Sequence, residues 1–165
     1  AALAVAAVGT PAAAAPPGGC DAFDWPLATE IAWIAAADHI EVSAGAQIAS
    51  APTKAITLTL KPQSEAVLAT QPSGAPKKQP ETPYAGTIRI AEVARAGTYQ
   101  VSLSAPGWID VVQNGAPLAE IGHTGKSDCP TLRKSVRFAV GEGPLILQIT
   151  GASSPTISVT FRPAE

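Results

Sequence analysis

The 165-residue chain has no methionine, only two cysteines, few aromatic residues (5%) and few charged residues (15%), and its formal net charge is −2. This weak, slightly acidic charge excludes a strong electrostatic attraction to nucleic acid or to an anionic membrane. Two cysteines without a C-x-x-C motif argue against a zinc site or a redox couple. Apolar runs are too short for a transmembrane helix. We therefore expect one ordinary domain without a cofactor, a nucleic-acid partner or a transmembrane segment.

The first 19 residues, AALAVAAVGTPAAAAPPGG, carry no charge and are rich in alanine. This composition predicts the remnant of a secretory signal peptide, with a retained disordered arm as the alternative. Lipidation of Cys20 is a weaker hypothesis, because Pro17-Gly18-Gly19 lacks the leucine normally found three residues before a lipidated cysteine. Export would place the protein in the periplasm or outside the cell, where we expect Cys20 and Cys129 to form a disulfide.

One helix is predicted near the start of the domain, over residues 24–37. Pro26 suits a first-turn position, where its missing N–H is not needed. Leu27, Ile31 and Ile34 follow the spacing of a single apolar helical face. We expect this face to cover one edge or end of a sheet.

After residue 38 the hydrophobic period changes to two, which is typical of strands with one buried face. Asn114-Gly115 predicts a type I′ hairpin turn between two such runs. The pattern predicts a mainly β protein: an antiparallel β-sandwich or jelly roll with one short N-terminal helix, forming a single domain over residues 20–165. Residues 70–83, which hold four prolines, predict a mobile surface loop. The alternating runs are Ile40/Val42, Ile56/Leu58/Leu60, Ile88/Ile90, Tyr99/Val101/Leu103, Val136/Phe138/Val140, Leu145/Leu147/Ile149 and Ile157/Val159/Phe161.

Sequence motifs that would indicate phosphate binding, metal binding or catalysis are weak in this chain. Residues 122–127 end in Gly-Lys-Ser like a phosphate-binding loop, but Glu120 stands where that motif needs glycine, so an ordinary polar loop is favoured. His39 and His123 could formally join a carboxylate such as Glu41 or Asp128 in an iron site, although solvent-exposed histidines are the commoner case. The chain has no G-x-S-x-G motif of a serine hydrolase. We therefore predict no catalytic or metal-binding residues.

Trp108 is the residue with the clearest potential to bind a ligand. It alternates with Ile109 in a strand, so its face is ambiguous: rim packing is favoured, and a platform for sugar stacking is the alternative. A basic run over residues 133–137 lies close to Lys126 in the sequence and could form a positive patch, or a charged strand edge that discourages aggregation. The predicted ligand or partner surface consists of Trp108, Asp110, His123, Lys126, Arg133 and Lys134.

Two resemblances bear on function. Residues 96–121, AGTYQVSLSAPGWIDVVQNGAPLAEI, resemble secreted bacterial β-sandwich modules of the pre-peptidase C-terminal type, which implies an accessory, non-catalytic role. The segments CDAFDWPLATEIAW and CPTLRKSVRFAV are similar to small exported bacterial proteins of unknown role, some of which are labelled homogentisate dioxygenase. Enzymes of that family are much longer and draw their iron ligands from a cupin-type region, for which this chain has no matching motif.

These observations predict an exported, non-catalytic β-sandwich that acts as a binding or structural module in the cell envelope, through a protein partner or an assembly. The first alternative is a carbohydrate-binding module with Trp108 as its platform. The second is a small metal-dependent, dioxygenase-like enzyme that uses His39 and His123.

Overall fold

The structure is a computed structural model that describes residues 8–9 and 19–165. Most of the prediction for the N-terminal segment, residues 1–19, therefore lies outside the described residues. The domain consists of two packed β-sheets and one α-helix, so the predicted β-sandwich is confirmed. Its elements are α1 (Ala28–Ala35), β1 (Ile40–Ser43), β2 (Ala46–Ser50), β3 (Ile56–Thr59), β4 (Lys61–Pro62), a 3-10 turn (Gln63–Glu65), β5 (Tyr84–Val93), β6 (Gly97–Leu103), β7 (Trp108–Gln113), β8 (Ala116–Pro117), β9 (Glu120–Gly125), β10 (Lys134–Val140), β11 (Gly143–Ala152) and β12 (Thr156–Pro163).

Each sheet mixes antiparallel and parallel pairs. The first sheet has the order β1-β3-β12-β6-β10-β9, and the second has the order β2-β5-β11-β7-β8, with β4 also paired to β5. The β1–β3 and β2–β5 pairs are parallel, which corrects the expectation of wholly antiparallel sheets. A tight turn at Ala44-Gly45 explains the difference, because it carries the chain from β1 in one sheet directly to β2 in the other. The amides of Ala44 and Gly45 donate to Thr59 and Thr87, one in each sheet.

The core lies between the two sheets and is built from the alternating apolar residues. Most of the alternating positions named above are buried, while Ile40 and Val42 at the outer strand β1 are partly buried against the core. The turn predicted at Asn114-Gly115 is confirmed, because both residues have positive φ, 53° and 76°. Positive φ at both central positions is what the type I′ turn requires.

Helix α1 is shorter than predicted, because it spans Ala28–Ala35 rather than residues 24–37. The backbone N–H of Asp24 donates to Thr124 Oγ1 on the first sheet, so the segment before Leu27 follows the sheet instead of beginning the helix. Pro26 therefore precedes the helix rather than occupying its first turn. The predicted apolar face is confirmed: Leu27 is buried, and Ile31 and Ile34 pack beside it in a second small core.

The second core surrounds the predicted disulfide. Cys20 and Cys129 are bonded, with their Cα atoms 4.6 Å apart, so the N-terminal segment is tied to the loop between β9 and β10. Gly19 N–H also donates to the carbonyl of Asp128 in that loop. Leu132 is fully buried against this bridge. The disulfide thus fixes the segment that precedes α1 and the β9–β10 loop, which borders the candidate site described in the next section.

The proline-rich segment 70–83 lies over the outer face of the second sheet. Gln148 on β11 accepts hydrogen bonds from the amides of Ala69 and Thr70 (2.8 and 3.2 Å) and donates to the Thr70 carbonyl (3.0 Å). Before this segment, Gln63 Oε1 accepts a hydrogen bond from the backbone amide of Gly151 on β11 (2.7 Å). The segment is therefore anchored to the sheet at its start, whereas the sequence analysis expected a mobile surface loop.

Within the part of the chain that the structure describes, the helical segments are too short and too weakly apolar to cross a membrane.

Candidate functional site

A cleft of about 840 Å³ lies where the proline-rich segment meets the β9–β10 end of the first sheet. We call it the basic cleft. Its walls come from residues 75–80, from the start of β7 around Trp108, and from β9 and β10. A volume of this size falls within the range of natural ligand sites.

The described residues that line the basic cleft carry charge of one sign. Lys77 and Lys78 contribute from the proline-rich segment, and Arg133 and Lys134 contribute from the first sheet and the loop before it. None of these described lining residues is Asp or Glu. The whole chain has 11 Lys and Arg against 13 Asp and Glu, so four of its eleven cations line a cleft in a protein of net negative charge. A concave surface lined by one sign of charge concentrates ligands of the opposite sign.

Trp108 forms part of the cleft wall and is held firmly by the proline-rich segment. It pairs with Thr150 on β11 and projects from the outer face of the second sheet, opposite to the buried Ile109. Its indole Nε1–H donates to Ser73 Oγ (2.9 Å). Gly74 packs so closely that a Cβ atom there would lie 2.5 Å from the indole ring. Only glycine allows the chain to pass over the ring at this distance.

Lys134 lies over the ring of Trp108, with its Nζ 4.2 Å from the ring centroid. Burial lowers the pKa of Lys134 below its ordinary value, while the charges of Glu120 and Asp110 oppose this change. The ammonium group therefore occupies one face of the indole in a cation–π contact. A sugar could stack on that face only by displacing Lys134, which counts against the idea of Trp108 as an open platform.

Asp110 lies beneath the cleft rather than on its surface. It is 3% exposed and accepts hydrogen bonds from both the amide (3.2 Å) and the hydroxyl (2.5 Å) of Ser73. The same hydroxyl accepts from Trp108, so a chain of hydrogen bonds runs from Trp108 through Ser73 to Asp110. Asp110 thus positions the wall of the cleft, whereas the sequence analysis had placed it among ligand contacts.

His123 lines the cleft from β9. Its side chain is 65% exposed, and its Nδ1 lies 3.3 Å from Glu120 Oε1. His39, by contrast, is on the loop before β1, where its ring nitrogens contact Thr57 Oγ1 (2.7 Å) and the Ile34 carbonyl (3.1 Å). Strands β1 and β9 are the two outermost strands of the first sheet, about 24 Å apart at ordinary strand spacing.

The iron site considered for His39 and His123 is therefore not formed. Within residues 8–9 and 19–165, no group of three or more His, Cys, Asp or Glu side chains is placed to hold a metal ion.

Lys126 and Arg133 lie at the two ends of the loop that carries Cys129. The Lys126 amide donates to the Arg133 carbonyl (3.1 Å), and the Arg133 amide donates to the Leu103 carbonyl (2.8 Å). Arg133 lines the cleft, while Lys126 lies between two lining residues, Gly125 and Ser127. The disulfide closes this loop against the N-terminal segment.

The structure thus brings together most of the surface predicted from sequence. Trp108, His123, Arg133 and Lys134 line the cleft, Lys126 borders it, and Asp110 supports it from below. Sequence reasoning missed Lys77 and Lys78, which lie in the predicted surface loop. The positive charge of Lys77 and Lys78 is evident from the sequence. Their position in the same cleft as Arg133 and Lys134 depends on how the proline-rich segment packs against the sheets.

A second polar cluster lies on the first sheet, beneath helix α1. Glu30 is fully buried and accepts hydrogen bonds from Gln100 Nε2 (2.6 Å) and Arg162 Nη1 (3.2 Å). Arg162 and Arg137 lie over the rings of Trp33 and Trp25, at 5.8 and 4.2 Å from the ring centroids. These contacts join the helix and the segment before it to the sheet. A smaller cavity of about 410 Å³ nearby is lined by residues 20, 21 and 23–28 and by Ile31.

Comparison of the chain with protein-family models, with curated proteins and with solved structures finds no match in any of the three.

Proposed function

We propose that the protein is an exported, non-catalytic binding module of the cell envelope and that the basic cleft is its ligand-binding surface. The observation that carries the proposal is the concentration of positive charge at the cleft: four cations line it, no described carboxylate does, and the Glu120 and Asp110 carboxylates lie beside and beneath it, in a chain of net charge −2. Such an arrangement attracts and orients an acidic ligand.

The hydrogen bonds around the cleft favour binding over catalysis. The Ser73 hydroxyl donates to Asp110 and accepts from Trp108, so it links the loop to the sheet. Lys134 is directed at the indole of Trp108. His123, which could act as a base, is largely exposed and lies next to Glu120. A nucleophilic site would instead need a base aimed at a nucleophile, together with donors for the developing negative charge.

The disulfide supports a location outside the cytosol. Bridges such as the one between Cys20 and Cys129 form and persist in oxidising compartments. Together with the uncharged, alanine-rich first 19 residues, this favours the periplasm or the cell exterior.

The proposal is tested by retention on cell-envelope material from the organism that makes the protein. The test variant is Lys77→Glu/Lys78→Glu, which reverses two exposed charges at the cleft. The matched control is Lys61→Glu/Arg95→Glu, which makes the same change of charge at exposed positions outside the lining of the cleft. We expect the wild type and the control to be retained and the cleft variant to be lost. Equal retention of all three proteins would overturn the proposal.

A further inference from the structure

We infer that the ligand of the basic cleft is an acidic polysaccharide, a chain of sugar rings that carry carboxylate or sulfate groups. This inference rests on the proposed function, because it names the ligand class for the same cleft. Three features of the described lining residues support it: the cations, the neutral hydrogen-bonding groups, and the flat apolar surfaces between them.

The cations come from two separate parts of the chain. Lys77 and Lys78 belong to the proline-rich segment, while Arg133 and Lys134 belong to the end of the disulfide-closed loop and the start of β10. The four charges are thus distributed around a cleft of about 840 Å³ rather than gathered at a single point. This distribution suits a ligand with several separated anionic groups better than it suits one small ion.

Neutral polar side chains accompany the cations. The lining also contains Gln79, His123, Ser127 and Ser153, whose side chains offer both donors and acceptors of hydrogen bonds. Sugar hydroxyls have the same double capacity and can be matched by these groups. A polyphosphate presents acceptors only, so it would use the donors of these groups and none of their acceptors.

The apolar part of the lining distinguishes a glycan from an acidic peptide. Pro76, Pro80 and Pro106 line the cleft together with part of Trp108. Proline has no backbone N–H, so these positions cannot donate to an extended peptide in the way that an exposed strand would. Their apolar rings instead provide van der Waals packing for the C–H faces of sugar rings.

The experiment is calorimetric titration of the intact, oxidised protein with four probes: polygalacturonate oligosaccharides, dextran sulfate, neutral dextran and poly-glutamate. We expect a carboxylated or sulfated glycan to bind and neutral dextran to fail. The Lys77→Glu/Lys78→Glu variant should bind about tenfold more weakly, while Lys61→Glu/Arg95→Glu should match the wild type. Binding should also weaken in about 1 M NaCl, where the Debye length is about 3 Å.

The outcomes separate the ligand class from the proposed function. Binding of polygalacturonate assigns carboxylate as the anionic group, and binding of dextran sulfate alone assigns sulfate. Equal binding of poly-glutamate, or binding of neutral dextran, overturns the inference. If neither acidic glycan binds while Lys77→Glu/Lys78→Glu still loses retention on the envelope, the cleft is a binding site for another ligand, and only the ligand class is wrong. Circular dichroism of both variants confirms that each is folded.

Discussion

Lys134 Nζ lies 4.2 Å from the centroid of the Trp108 ring, and this contact joins the two sheets of the sandwich at the basic cleft. Lys134 begins β10 of the first sheet, whereas Trp108 begins β7 of the second. Trp108 is in turn hydrogen-bonded to Ser73 of the proline-rich segment. One pair of residues therefore connects three structural parts: both sheets and the segment that covers the second sheet.

The Lys134 contact predicts a pH dependence of stability. Burial lowers the pKa of Lys134 from its ordinary value of 10.5. Between the lowered pKa and 10.5, the unfolded chain binds more protons at this site than the folded chain does. The contribution of Lys134 to the free energy of unfolding therefore rises with pH in that interval. We expect the wild type to gain stability relative to Lys134→Met as the pH is raised from neutral towards 10.5, measured by denaturant unfolding.

The Met variant is the reference because it keeps a long apolar stem over the indole and removes only the titrating group. A difference in unfolding free energy that stays constant across the pH range would contradict this prediction.

The close approach of Gly74 to Trp108 makes a second prediction. A Cβ atom at residue 74 would lie 2.5 Å from the rigid indole, so Gly74→Ala must displace either the ring or the proline-rich segment. We expect a loss of about 1–3 kcal/mol in the free energy of unfolding, as is typical of overpacking. Tryptophan emission should shift as well, because the hydrogen bond from Trp108 to Ser73 is disturbed.

Gly97→Ala provides the matched control for this substitution. A Cβ atom at residue 97 would meet nothing within 4 Å, and Gly97 does not have positive φ. We expect this variant to have a stability within about 0.5 kcal/mol of the wild type. Equal stability of the two variants would show that the indole does not restrict residue 74.

Seven strands (β1, β3, β5, β6, β10, β11 and β12) could be predicted from sequence because each contains a run of alternating apolar and polar residues. The parallel pairs β1–β3 and β2–β5 could not, because they depend on the turn at Ala44-Gly45 passing from one sheet to the other. The start of α1 was misplaced because the backbone of Asp24 is bonded to Thr124, which is 100 residues away. The hydrophobic periodicity of a short segment does not predict contacts with residues that are distant in the sequence.

Trp108 shows the same limit at the candidate site. Its alternation with Ile109 left its face ambiguous, because the strand is covered on both sides: by the core on one and by the proline-rich segment on the other. The basic run at residues 133–137 could be recognised as a patch, but its partner lysines, Lys77 and Lys78, reach the same cleft only through tertiary packing.

The buried carboxylate beneath α1 makes a third prediction. Glu30 is fully buried and accepts from Gln100 and Arg162, so Glu30→Ala would leave Gln100 Nε2 and Arg162 Nη1 without this acceptor, while Arg162 Nη2 keeps Glu165. Burial acts to lower the pKa of Arg162, but its hydrogen bonds to Glu165 and Glu30 outweigh this and raise the pKa. We expect Glu30→Ala to lose about 3 kcal/mol of unfolding free energy.

Hydrogen exchange localises this effect. Amides of Ala28–Ala35 should exchange faster in Glu30→Ala, because the helix loses its polar attachment to β6 and β12. The exposed Glu41→Ala is the control and should leave helix protection unchanged. Unchanged protection of the helix in Glu30→Ala would show that the apolar contacts of Leu27 and Ile31 alone hold it in place.

The disulfide makes the fourth prediction, which connects stability to the cleft. Cys20 and Cys129 are separated by 109 residues in sequence, so their bond closes a long loop and restricts the unfolded chain. We expect Cys20→Ser/Cys129→Ser to lose about 2–4 kcal/mol of unfolding free energy in denaturant titrations.

The same variant should lose affinity for any ligand of the cleft, because Cys129 holds the loop whose far end carries Arg133. The Lys126–Arg133 backbone hydrogen bond would remain. Asp128, however, would no longer be held next to Gly19, whose amide donates to the Asp128 carbonyl. Glu30→Ala is the comparison variant. It destabilises the domain beneath helix α1 and does not alter a residue that lines the cleft. Weaker binding by both variants to the same extent would show that affinity follows overall stability. Weaker binding by the serine variant alone would show that the disulfide positions the cleft.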